Sequence, residues 1–204
     1  MPRLLLVRHG ITEFNSTRRF AGHSDVEMSP DGYRQVEKLR DRLANEKIDA
    51  VYSSDLKRAL VTAEVISPGR KMEIVTCPEL REVNYGQAEG LTFPEIGRRY
   101  PELAELITNF NLRLEFPGGE SFAGFIARTI KFLNRLEKHE PSEIILIVSH
   151  SGPLRTLLCH LLGVTQDHWR QIRLDNASLS IVETYPQRVI ISLLNGISHL
   201  RDNV

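Results

Sequence analysis

The sequence predicts an α/β sandwich whose sheet is mostly parallel, with an antiparallel edge. Three observations carry this. Strand candidates recur near 4–7, 48–52, 72–76 and 144–148, and the first and last of them are continuous apolar runs, which read as buried strands. Segments of helical period stand between them, and alternating strand and helix imply an α/β sandwich with a mostly parallel sheet. The last two β-like runs, 179–184 and 189–194, are joined around Tyr185-Pro186-Gln187, which suits a hairpin at the edge.

The first strand is Leu4-Leu5-Leu6-Val7, which stops abruptly at Arg8-His9-Gly10. It is too short for a helix, and Gly10 lets the backbone turn or approach a ligand closely. Residues 11–24 show no period and read as a polar loop lining the strand end. Ser29 caps a helix with Pro30 in its first position, and Tyr33, Val36, Leu39 and Leu43 recur at helical spacing. After the strand at 48–52, Ser53 or Ser54 caps a helix over 55–66, with Leu56, Leu60, Ala63 and Val65 on its apolar face. Arg58 then falls in its first turns.

Ser67-Pro68-Gly69 ends that helix, and a third strand follows at 72–76. Residues 79–90 hold Arg81, Glu82 and two glycines, a shaped loop and not a flexible linker. Thr92-Phe93-Pro94-Glu95 has the pattern of a capping box, a second helix covers 101–111, and a long amphipathic helix covers 121–138. The region 89–121 is rich in helix and turn signals and is expected to form a cap within one domain spanning 1–204. Phe93, Tyr100, Phe110 and Phe116 are read as core residues. The run 144–148 is a buried strand that delivers a second histidine, His150, at its carboxyl end, and a helix covers 153–162.

With 204 residues, 41% of them hydrophobic and 25% charged, the chain has the composition of an ordinary globular protein. Basic and acidic residues balance at 26 each, which disfavours a general nucleic-acid or membrane-surface role. Cys77 and Cys159 belong to no Cys-x-x-Cys pair, so a disulfide framework or zinc ribbon is disfavoured. No signal-peptide pattern or bilayer-length apolar stretch is present, and a reducing cytoplasm is the expected setting.

Ligands of open α/β sheets sit beyond the carboxyl ends of strands, so His9, His150, Arg8, Arg58 and Glu82 converge on one edge. Two histidines, two arginines and a carboxylate suit phosphoryl transfer. Guanidinium forks match phosphate oxygens, Asn15 adds a neutral donor, and the helix start after His150 adds partial positive charge. One imidazole can attack phosphorus and a carboxyl group can move the proton. Two competing readings are a metal site of two histidines and a carboxylate, beside which the guanidiniums are unfavourable, and two ordinary core histidines.

Leu6-Val7-Arg8-His9-Gly10, with Thr12 and Asn15, resembles the signature of the histidine phosphatase superfamily, the phosphoglycerate mutase-like family. Gly22-His23-Ser24-Asp25, Tyr52-Ser53-Ser54-Asp55-Leu56-Lys57-Arg58, Leu80-Arg81-Glu82 and Val148-Ser149-His150 resemble its later blocks, so the match covers essentially the whole chain. The resemblance implies a three-layer α/β/α sandwich, phosphoglycerate mutase-like, and no metal or other cofactor. It implies His9 as nucleophile, Glu82 as proton donor, and Arg8, Arg58 and His150 as phosphate holders, assisted by Asn15 and Ser151. Ile11, Ala88 and Ser151 stand where the family often has Glu, Trp and Gly. Mutases of the family are longer and richer in cap cations than this chain, whose cap arginines are Arg98, Arg99 and Arg113. A phosphomonoesterase acting on a small phosphorylated metabolite is therefore expected, with a homodimer as one option for its assembly. The turn at 117–121 and the segment 169–175 are similar to α-ribazole phosphatases of cobalamin assembly, which implies α-ribazole 5′-phosphate as a substrate. The alternatives are a mutase-type phosphotransferase, and a binding protein that would need only the arginines.

Overall fold

The structure is a computed structural model that describes residues 2–67, 69, 72–109 and 113–201. Six strands form one sheet: β1 (Arg3–Arg8), β2 (Ala50–Ser53), β3 (Ile74–Thr76), β4 (Ile144–Ser149), β5 (Leu179–Tyr185) and β6 (Arg188–Gly196). Their spatial order is β3-β2-β4-β1-β5-β6. The neighbours from β3 to β1 pair in parallel, while β5 and β6 run antiparallel at the edge. The mixed sheet matches the expected fold class.

β1 and β4 are central because their side chains are apolar on both faces. Leu5 and Val7 point into one cluster with Val36, Leu39, Ala59 and Ala63. These belong to α2 (Pro30–Arg42) and α3 (Lys57–Ile66). Leu4 and Leu6 point into a second cluster with Phe132, Leu154, Leu157 and Leu158 on the other face. Those come from α7 (Ser151–Leu162) and from a 3-10 stretch (Phe132–Leu136) that continues α6 (Phe122–Lys131). The alternation follows from the two-residue period of a strand.

Several expectations are corrected. The segment 11–24 is not all loop, because α1 (Glu13–Ser16) forms there on a capping box between Thr12 and Asn15. A four-residue helix made by its cap leaves no periodic trace. Tyr33 is exposed, and the buried face of α2 is Gly32, Val36 and Leu39, continued by Leu43. Those positions share one stripe, which Tyr33 leaves. Neither Ser53 nor Ser54 caps α3, whose N-cap is Leu56 with no side-chain bond. The Ser54 hydroxyl instead accepts from the Leu56 amide at 3.3 Å, shaping the entry. The expected long helix from 121 tightens into the 3-10 stretch, yet Phe132 and Leu136 stay buried. α7 begins at Ser151, ahead of Pro153, which the first turn tolerates because its amides lack helical partners.

Gly10 has a different role from the one expected. A Cβ there would meet the Met28 sulfur at 2.5 Å and the Gly32 carbonyl at 2.7 Å. It allows the strand end to approach α2, not a ligand. β2 and β3 are shorter than 48–52 and 72–76, and β3 forms a partly exposed edge. α4 (Phe93–Arg99) and α5 (Pro101–Thr108) pack with Val83, Phe116, Phe122 and Trp169 in a third cluster. The expected capping box of α4 is present between Thr92 and Glu95. Phe93 is exposed and not core, and Phe110 and Asn111 lie outside the described residues. Among the described residues, no helix is long and apolar enough to cross a membrane.

Candidate active site

Sheet register creates the site. Arg8 pairs with Ser149 across the parallel β1–β4 ladder, so the next residues, His9 and His150, leave adjacent strands side by side. Their ring centroids are 5.0 Å apart with planes tilted by 59°. They stand at the carboxyl ends of the strands, on a cleft of about 410 Å³ lined also by Arg8, Asn15, Arg58 and Glu82. Ser151 lines the same cleft. His150 sits just behind as a fully buried residue.

His9 is held in one tautomer. Its Nδ1 lies 2.7 Å from the Gly10 carbonyl, which can only accept, so Nδ1 carries the proton and Nε2 keeps a lone pair. Its backbone amide donates to Ser149 O at 3.0 Å. Its carbonyl accepts from the Asn176 side chain at 3.1 Å. Burial, then the charges of Arg58 and Arg8, push the imidazole well below its ordinary 6.5. The His150 ring contacts the Ser54 hydroxyl through Nε2 at 2.9 Å, while its buried Nδ1 has no partner. Burial and then Arg58 hold this imidazole neutral as well.

The arginines are gripped by carbonyl oxygens. Arg8 donates to Leu174 O at 2.7 Å, and burial pushes its guanidinium down to about 10. Arg58 is almost fully buried and donates to Ser24 O at 2.9 Å and Gly22 O at 2.7 Å. Burial lowers it too, against the opposing field of Glu82. No carboxylate contacts either guanidinium within ion-pair distance among the described residues. Carbonyls orient them without cancelling their charge, which leaves a positive field in the cleft.

Glu82 reaches the site from the loop after β3. One oxygen accepts from the Val83 amide at 3.0 Å, the other from the Gly152 amide at 3.2 Å and the Ser151 hydroxyl at 3.3 Å. The carboxylate therefore sits at the N-terminus of α7, where the helix favours negative charge. A Cβ on Gly152 would collide with Glu82 Oε1, so the approach depends on glycine. His23 donates to the Glu82 carbonyl at 3.0 Å, and Arg128 donates to it at 3.2 Å. Asn15 Oδ1 is used up by Thr12 and Asn176, which leaves its amide NH₂ as the donor.

The structure thus gathers every expected site residue. It also shows supports the sequence did not single out. Asn176 ties His9 to Asn15. Arg128 donates to the carbonyls of Glu79 and Arg81 and pairs with Glu120 at 2.7 Å. Glu89 accepts from the His23 and Tyr85 amides at 2.7 and 3.2 Å and so fixes the carbonyl loop around Arg58. Among the described residues, none of 89–121 lines the cleft, and Arg98 and Arg99 face another surface with Glu95. Among the described residues, no three His, Cys, Asp or Glu side chains are grouped to hold a metal ion.

The chain belongs to the histidine phosphatase superfamily (branch 1), whose family model matches residues 4–196. It is 34% identical over 200 residues to phosphoserine phosphatase 1 of Hydrogenobacter thermophilus, covering 98% of this chain and 95% of that one. It is 34% identical to the metal-independent phosphoserine phosphatase of Arabidopsis thaliana, covering 98% and 84%. The crystal structure of the α-ribazole phosphatase from Shigella flexneri superposes with a TM-score of 0.90 at 28% identity, covering 98% of this chain and all (100%) of that one. These names support phosphatase activity for the family to which the chain belongs.

Proposed function

We propose that the chain is a metal-independent phosphomonoesterase that works through a phosphohistidine on His9. The observation that carries the reading is the pinned tautomer: Nδ1 is committed to the Gly10 carbonyl, leaving Nε2 nucleophilic beside two uncancelled guanidiniums. In the first step Nε2 attacks phosphorus, the ester P–O bond breaks, and Glu82 gives its proton to the leaving oxygen. In the second, Glu82 takes a proton from water, water attacks phosphorus, and the N–P bond breaks to free His9. Arg8, Arg58 and the Asn15 amide hold the phosphoryl oxygens, and the Ser151 hydroxyl joins them by turning from Glu82. The unpartnered Nδ1 of His150 supplies one more donor once an anion raises its proton affinity. Two guanidiniums suit that anion better than a dication.

The cap role of 89–121 within one domain is part of this proposal. It is supported by α4 and α5 sharing an apolar cluster with Val83, next to Glu82. A cytoplasmic setting is supported by Cys77 and Cys159, both free and buried. For the substrate, the relatives' names suggest O-phosphoserine and α-ribazole 5′-phosphate.

The test is phosphate release from p-nitrophenyl phosphate and these two esters with a chelator present, for wild type and His9→Ala. Release that survives the chelator and vanishes in His9→Ala is expected. Chelator-sensitive release would overturn the metal-independent route. No release, with turnover only in a bisphosphate-primed mutase assay, would replace the hydrolase by a mutase.

A further inference from the structure

A second cavity of about 210 Å³ adjoins the cleft and shares Phe20 and Tyr85 with it as walls. Its other walls include Ile107, Leu114, Phe116, Phe122 and Trp169, and an apolar space of this order accommodates a benzene-sized ring. Among these carbons lies Arg155. Its guanidinium stacks on the Trp169 ring at 4.9 Å, and its Nε is fully buried without a partner. It makes no hydrogen bond or ion pair among the described residues. Burial lowers its proton affinity, with Glu82 and Tyr85 the main opposing influences. Arg170 adds a second cation to the same walls, with its own bond to Thr108 O at 3.3 Å.

A half-buried guanidinium with no anion is costly to maintain, and the stacking on Trp169 leaves its donors unspent. Arg155 lies four residues beyond Ser151, on the same face of α7 and about 6 Å along the axis. Ser151 lines the phosphate cleft. The spacing therefore places Arg155 where the far end of a short leaving group would fall.

We infer that this cavity is the leaving-group subsite, and that Arg155 selects phosphomonoesters whose alcohol portion carries a carboxylate on an apolar body. The inference rests on the phosphomonoesterase reading and deepens it. A planar guanidinium matches a carboxylate with paired bonds that an uncharged group cannot return. Tyr85 and Phe20, belonging to both cavities, guide the ester oxygen toward Glu82.

The probes are 4-carboxyphenyl phosphate and its neutral near-isostere 4-carbamoylphenyl phosphate, with p-nitrophenyl phosphate as the control for the chemistry. In the wild type, kcat/KM for the carboxylate should exceed that for the amide by about tenfold or more, with the difference carried mainly in KM, as for uniform binding. In Arg155→Gln the ratio should fall to near one, and Arg155→Lys should restore part of it. Melting temperatures confirm that the variants fold, and the wild-type ratio decides the matter even if they do not. A wild-type ratio of one or less, or a preference that survives in folded Arg155→Gln, overturns the subsite while release from p-nitrophenyl phosphate leaves the hydrolase reading standing. If no ester is hydrolysed, both fall together.

Discussion

His9 shows how one short contact sets the chemistry of a side chain. With Nδ1 bonded to a carbonyl, the ring cannot turn its lone pair elsewhere without losing a buried hydrogen bond. The same burial makes protonation costly, and this has a measurable sign. Unfolded imidazoles take protons near 6.5, whereas His9 and His150 do so only at lower pH in the fold. Between the two values the unfolded state binds more protons, so stability is full above about 6.5 and is lost as pH falls through that window. The melting temperature of the wild type should drop from pH 7 to pH 5, less steeply in His9→Gln; equal slopes would contradict the assignment. At this scale the site was largely legible. His9 and His150 each follow an apolar run, Glu82 stands in the shaped loop after a strand, and the residue types announce the chemistry. Asn176 and Arg128 were not legible, because their partners lie far away in sequence and the local pattern carries no trace of them.

At the scale of elements, the work is done where strands and helices end. The start of α7 holds Glu82 through the Gly152 amide, and glycine is required by the close approach of the carboxylate. Gly152→Ala should destabilise the fold by about 1–3 kcal/mol and also lower kcat, read by chemical denaturation and steady-state kinetics. Stability loss with unchanged kcat would remove Glu82 from the proton-transfer role. Arg128 clamps the loop 79–82 from α6. Arg128→Met should cost about 1.5–3 kcal/mol, the range for bonds to a charged group, and should slow turnover by loosening Glu82. The strands and long helices were readable because their periods are set by burial on one or two faces. α1 and the 3-10 end of α6 were not, since a cap or a tightened turn is decided by a few hydrogen bonds and not by a repeated pattern.

The whole molecule carries no net charge, yet its cleft concentrates cations that carbonyls orient and carboxylates do not neutralise. Inorganic phosphate should therefore raise the melting temperature, by the equivalent of about 2.7 kcal/mol at a hundredfold excess over Kd. Arg58→Gln should lose most of that shift, and a shift unchanged in the variant would place the anion elsewhere. The parallel pairing of β1 with β4 has a further consequence. Neighbouring strands lie about 4.8 Å apart, close to the 5.0 Å between the two histidine rings. Backbone hydrogen bonds thus serve as a fixed ruler for the reacting pair. Loops around the cleft can be lengthened, shortened or replaced without resetting that ruler. One scaffold can then change the molecules it accepts while the spacing of its imidazoles stays constant.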